Sequence, residues 1–306
     1  MSPDLFTSDD VLAQQNFSDI HLVVLGLLSH DLESLLKTDC TEINLQDVNG
    51  RTPLLWAAWR SDIASVLLLL KYGADINKPD HALYTPLARA AQAGDLSTVE
   101  ILLTAKAESH VRTSWDHQPI HLASENRLNG NGVVKALLEW GADSNAYSKG
   151  SGTPLHNAAN RGSIHTMRTL IEHGTAIDAI GRNGSTAAMV ALYCWNEPAF
   201  VHLASAGARL DVVNDSGHNI LQLATWTASA KAWDLLIDRA ESGSLGYIDV
   251  DALHDGHGIE QCYRKCRRLW YRGQRGDENL ERAKFLLMIE ICGFQRQRPG
   301  RFYDLT

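Results

Sequence analysis

Apolar residues along this chain fall in short blocks with helical spacing, and the blocks themselves recur. Val66, Leu69 and Leu70 mark one face of a helix that Gly73 stops. Before it, Leu54, Leu55, Ala57 and Ala58 follow Thr52-Pro53. Thr52 suits a helix N-cap and Pro53 the first helical position, where a missing N–H costs nothing. Small Ala57 and Ala58 allow neighbouring helices to approach closely. Asp47-x-Asn49-Gly50 and Asp75-x-Asn77 carry turn chemistry between blocks. Each unit therefore reads as turn, helix, loop, helix, and a unit this small must stack on others to bury its apolar face.

The units keep a fixed period. Thr-Pro-Leu begins at Thr52, Thr85 and Thr153, with a degenerate Gln118-Pro119-Ile120, and the register continues at Thr186 and Asn219. The steps are 33, 33, 35, 33 and 33 residues, and the longer step is expected to be absorbed by a loop at Asn129-Gly130-Asn131-Gly132. A second marker follows in the same register: Tyr72-Gly73-Ala74-Asp75, Trp140-Gly141-Ala142-Asp143, His173-Gly174-Thr175-Ala176 and Ala206-Gly207-Ala208-Arg209. The second unit departs from it, with Lys106 in the Gly slot.

Both markers resemble those of the ankyrin repeat family, whose signature Thr-Pro-Leu-His-x-Ala is met most fully at Thr153-Pro154-Leu155-His156-Asn157-Ala158. The style of the first units is also similar to repeat proteins abundant in filamentous fungi, which decides nothing about mechanism. The resemblance implies an all-α ankyrin-repeat solenoid of stacked helix-turn-helix units with β-turn tips and atypical caps at both ends. The expected divisions are a tail over 1–16, a degenerate capping repeat over 17–46, and six repeats at about 47–79, 80–112, 113–147, 148–180, 181–213 and 214–240. An atypical helical cap over 241–293 and a tail over 294–306 complete the chain. In the cap, Ile259–Arg272 and Leu280–Cys292 are the expected helices.

The resemblance also implies a concave groove lined by turn tips and by exposed first-helix positions. Four residues after the Thr slot stand Trp56, Arg89, Leu122, Asn157, Val190 and Leu223. Seven residues after it stand Trp59, Gln92, Glu125, Asn160, Tyr193 and Trp226. The two columns are three residues apart and share a helix face. Trp, Tyr and Arg often dominate binding energy, so the expected partner-binding groove is Trp56, Trp59, Arg89, Gln92, Glu125, Asn157, Asn160, Tyr193 and Trp226. Padding between repeats is the competing reading, above all for Trp56. The tips add His81, Trp115, His117, Lys149, Arg182 and His218. His121 and His156 fill the family's own His slot and are expected to bond within the turn.

Charge narrows the partners. The net charge is −8, yet residues 263–306 hold 11 Lys+Arg against 5 Asp+Glu, and the preceding 262 hold 17 against 31. An acidic body disfavours bulk nucleic-acid binding, which rests on phosphate neutralisation. The run Arg264-Lys265-Cys266-Arg267-Arg268 is read as the solvated face of a cap helix, with a nuclear-localisation role as the alternative. The apolar runs Leu22–Leu28 and Val66–Leu70 fall far short of the ~20 residues of a membrane span.

Five scattered cysteines are no secreted disulfide framework. With no basic, apolar leader at the start, an intracellular location is expected, cytoplasmic or nuclear. His254-x-x-His257 with Cys262 and Cys266 holds zinc-capable types at no familiar spacing, and the cysteines fit helix-core positions. No metal and no cofactor are expected. No phosphate-cradling loop, nucleophile elbow or His-Glu-x-x-His occurs. The leading reading is a non-enzymatic scaffold or adaptor for a protein partner. The alternatives are a transcriptional co-regulator acting through protein contacts, and a small-molecule binder or enzyme on the same scaffold.

Overall fold

A computed structural model describes residues 16–29, 31–161, 163–227 and 230–241. The expected cap helices, the basic run, and His254, His257, Cys262 and Cys266 lie outside them, as does the side chain of Trp226. Among the described residues the regular structure is helical, with only isolated bridges at Ser148–Gly152 and Val213–Asn219. Two compact units divide the chain, one ending at Thr175 and the other beginning at Ala176.

Among the described residues the first unit holds ten helices in five pairs: α1 (Asp19–Val24) and α2 (Leu32–Thr38), α3 (Pro53–Trp59) and α4 (Ile63–Lys71), α5 (Pro86–Ala93) and α6 (Leu96–Thr104), α7 (Pro119–Glu125) and α8 (Gly130–Glu139), α9 (Pro154–Arg161) and α10 (Ile164–Glu172). Partners within a pair pack together. The first helices also form one row, α1-α3-α5-α7-α9, and the second helices another, α2-α4-α6-α8-α10. Leu54, Leu55, Leu87, Ile120 and Leu155 are wholly buried between them, as are Val66, Leu69, Leu102, Leu137 and Leu170. In the second unit, α11 (Ala187–Tyr193) packs on α12 (Glu197–Ser205) and on α13 (Ile220–Thr227), and α12 packs on α14 (Ala230–Glu241).

Local chemistry sets these boundaries. The Thr52, Thr85 and Thr186 hydroxyls accept the amides of Leu55, Ala88 and Met189, capping α3, α5 and α11. Where the slot holds Gln118, the amide of Gln118 donates to His121 Nδ1 instead, at 3.2 Å. Asn219 and Gln222 close a reciprocal pair, each amide donating to the other's side chain at 2.8 and 3.0 Å. The first pair of helices uses the same device: Ser18 caps α1, and its amide donates to His21 Nδ1. Ser18-Asp19-Ile20-His21 is thus a divergent form of the Thr-Pro-Leu-His start.

Two departures from the sequence expectation have a backbone cause. Lys106 occupies the left-handed conformation (φ 68°) that Gly73 and Gly141 hold elsewhere, so the turn survives a residue that strains it. The two extra residues of the third step are shared between the connection before α8 and α8 itself, which begins at Gly130 and has 10 residues where α4, α6 and α10 have 9. The Asn126 side chain accepts the amides of Leu128 and Asn129, and Gly130 follows at once. A Cβ on Gly130 would stand 2.1 Å from the carbonyl oxygen of Ala123, so only glycine fits this approach.

Candidate functional site: the first-helix face

The turns before the first helices lead into this face. In the first full repeat, Asp47 Oδ1 accepts the amides of Asn49 and Arg51, which folds the tip, and Oδ2 accepts the Trp56 indole N–H at 3.0 Å. The next repeat has the same arrangement. Asp80 Oδ1 accepts the amides of Ala82 and Tyr84, and Oδ2 pairs with the Arg89 guanidinium at 2.6 Å. Thr113 and Asn214 stand in the carboxylate's place in later repeats. There the position nine residues on is apolar, Leu122 and Leu223, and needs no acceptor. In these four repeats tip acceptor and helix donor vary together, whereas Asn157, nine residues after Ser148, finds its acceptors in the neighbouring repeat.

Burial corrects the exposure expected of the column four residues after the Thr slot, except at Val190, which is partly exposed. Trp56, Arg89, Leu122, Asn157 and Leu223 are all buried, at 2–8% exposure. Trp56 stacks on Trp59 with ring centroids 5.3 Å apart, and Phe17 meets its edge. Asn157 donates to the His121 carbonyl and to Glu125 Oε1, so its amide is spent inside the stack. These side chains position the face rather than lie open on it.

The column seven residues after the slot is open. Trp59, Gln92 and Glu125 are partly exposed and Asn160 is exposed in the first unit, and Tyr193 is exposed in the second. Gln92 is held by the Arg89 guanidinium at 3.0 Å. His117 Nδ1 lies 4.0 Å from Glu125 Oε1, and its ring stacks on that of His121 at 5.7 Å. Among the tip residues, Trp115 is 69% exposed. His81, Lys149 and Arg182 are exposed too, whereas His117 and His218 are partly covered.

Arg51 and Tyr84 belong to this face although the column pattern passes over them. Each directly precedes a Thr N-cap. The Arg51 guanidinium carbon lies 4.9 Å from the Trp56 ring centroid and 5.2 Å from that of Trp59. The Arg89 guanidinium lies 4.7 Å from Trp59 and 3.7 Å from Tyr84. Burial, with the Arg89 charge nearby, lowers the Arg51 pKa, against the pull of Asp47 and Asp80. Burial raises that of Tyr84. The signal for both residues is the slot before the cap, which changes from unit to unit (Arg51, Tyr84, His117, Gly152, Ser185, His218) while its neighbours repeat.

The His slot is structural. His21 Nε2 meets the Arg51 carbonyl at 3.0 Å and His121 Nε2 that of Gly152 at 3.2 Å, each tying one repeat to the next. Thr153 donates its amide to His156 Nδ1. Burial, and secondarily the charge of His117, pushes the His121 pKa down to about 4. Among the described residues no group of three or more His, Cys, Asp or Glu is placed to hold a metal ion, and no helix is long and apolar enough to cross a membrane.

Comparison with known proteins agrees with this construction. The family model for an ankyrin repeat matches residues 49–81, and that for three copies of ankyrin repeats matches residues 120–214. Inversin of Canis lupus familiaris is 29% identical over 178 residues, 58% of this chain and 16% of that protein. The transient receptor potential cation channel subfamily A member 1 of Drosophila melanogaster is 35% identical over 149 residues, covering 46% and 12%. A putative palmitoyltransferase ZDHHC13 of Danio rerio is 28% identical over 160 residues, covering 52% and 24%. The chain thus spans a quarter or less of the length of these relatives. Repeated caps, histidine ties and paired helix rows, together with these matches, make the chain an ankyrin-repeat protein.

Proposed function

We propose that the chain is a non-enzymatic scaffold or adaptor that binds a segment of a partner protein across the first-helix face. Ankyrin repeats indicate a protein-interaction module. The observation that carries the finer reading is the division of labour on this face. The inner column satisfies itself within the repeats, whereas Trp59, Gln92, Glu125 and Asn160 remain open to solvent in the first unit. In the second unit, Tyr193 is 68% exposed. Open aromatic and amide groups on a rigid support suit a peptide backbone and its side chains. An intracellular setting fits the exposed free thiol of Cys40. The channel and transferase activities named for the relatives are no part of this reading.

Affinity purification from the source cell, comparing wild type with a Trp59→Ala, Gln92→Ala double variant of unchanged circular dichroism, tests the proposal. A protein retained by wild type and lost by the variant supports it. Specific partners that both retain equally would refute the groove.

A further inference from the structure

We infer that the partner segment is acidic and sets an Asp or Glu carboxylate on the guanidinium of Arg51. This rests on the first-helix face being the binding surface. Arg51 is a cation of this face that no described group pairs with. The Arg89 guanidinium is already committed to Asp80 and Gln92. Asp47 is saturated by two amides and the Trp56 indole. The Arg51 guanidinium makes no hydrogen bond or ion pair with the described residues, and its Nε is buried without a partner. It is not loose, because it lies against Trp56 and Trp59.

A guanidinium lying against two aromatic rings has lost much of the freedom that binding would otherwise remove, and its donor fork suits a carboxylate. At Arg51 the Asp47 and Asp80 carboxylates oppose the Arg89 charge, so the donor fork rather than the local field must hold the incoming anion. The acidic body opposes an acidic ligand over distance, but screening confines that repulsion to about 8 Å at physiological salt. Contact with Arg51 is shorter than that. The open part of Trp59 then offers an apolar surface to the residue beside the carboxylate.

The test selects a displayed library of random 12-residue peptides on the full chain. Each Asp and Glu of the enriched peptides is then exchanged singly for Asn or Gln. One exchange should weaken binding to wild type about ten- to a hundred-fold, the range of a charged hydrogen bond. The same exchange should change binding to Arg51→Met by less than about three-fold, because the cation is already gone. Arg51→Lys, which keeps charge and loses the fork, should fall between, and circular dichroism and melting check each variant. Peptides that Trp59→Ala weakens, but that ignore both Arg51→Met and the amide exchanges, would overturn the carboxylate and leave the groove standing. Peptides indifferent to Trp59→Ala as well, or no enrichment at all, would count against both. Displacement by inorganic phosphate at concentrations where acetate has no effect would reassign the site to phosphate groups and overturn the carboxylate.

Discussion

Acidification should loosen the first unit through His121. Its Nδ1 accepts the Gln118 amide at 3.2 Å, so the neutral ring carries its proton on Nε2 and donates to the Gly152 carbonyl. A second proton would have to sit on Nδ1, facing another donor in a buried site. The unfolded chain takes up that proton near 6.5 and the folded chain only near 4. Stability is therefore complete above pH 6.5 and is lost as the pH falls towards 4. A fall of this size corresponds to about 3 kcal/mol. Burial lowers His21 in the same direction. Urea unfolding of wild type and His121→Gln at about pH 7.5 and about pH 4.5 isolates the effect, because carboxylates that titrate in this range are common to both. Glutamine suits the slot, since Gln222 already accepts the Asn219 amide at 2.8 Å. Wild type should lose roughly 2–3 kcal/mol more than the variant across that interval. Equal losses would refute the reasoning.

Three further outcomes follow from the repeat architecture. Asp80→Ala should cost about 3–5 kcal/mol in urea unfolding, because it strands the buried Arg89 cation. The double change Asp80→Thr with Arg89→Leu, the pair that the third repeat carries at Thr113 and Leu122, should recover most of that loss. Lys106→Gly should raise stability by about 0.5–1 kcal/mol by relieving a left-handed backbone, read as a higher melting temperature. Gly130→Ala should lower it by about 3 kcal/mol, because the added Cβ meets the Ala123 carbonyl.

The repeats are legible because their markers are local. Thr52, Pro53 and Gly73 each do one backbone job that few residues can do. Lys106 is harder, since its turn holds a residue that does not announce it, and Ser18 is harder because Ser18-Asp19-Ile20-His21 lacks the Thr-Pro-Leu marker. The open face is half legible. Spacing places Trp56 and Trp59 on one helix face but cannot say which is buried. That depends on Asp47, nine residues upstream of Trp56, offering the indole an acceptor. Arg51 escapes the pattern because its position before the cap has none of its own, and its surroundings come from Trp56, Trp59 and the next repeat.

The central claim is that the partner lies on the first-helix row. The second-helix row presents a rival, an open groove of about 670 Å³ lined by Ile63, Leu67, Leu70 and Ile101. Site-specific photocrosslinking separates the two. A photoreactive residue is placed at Gln92 on one face and at Leu67 on the other, and the products formed with the purified partner are compared. A crosslinked adduct is expected from position 92 and none from position 67. An adduct from position 67 alone would contradict the claim and move the binding site to the opposite row.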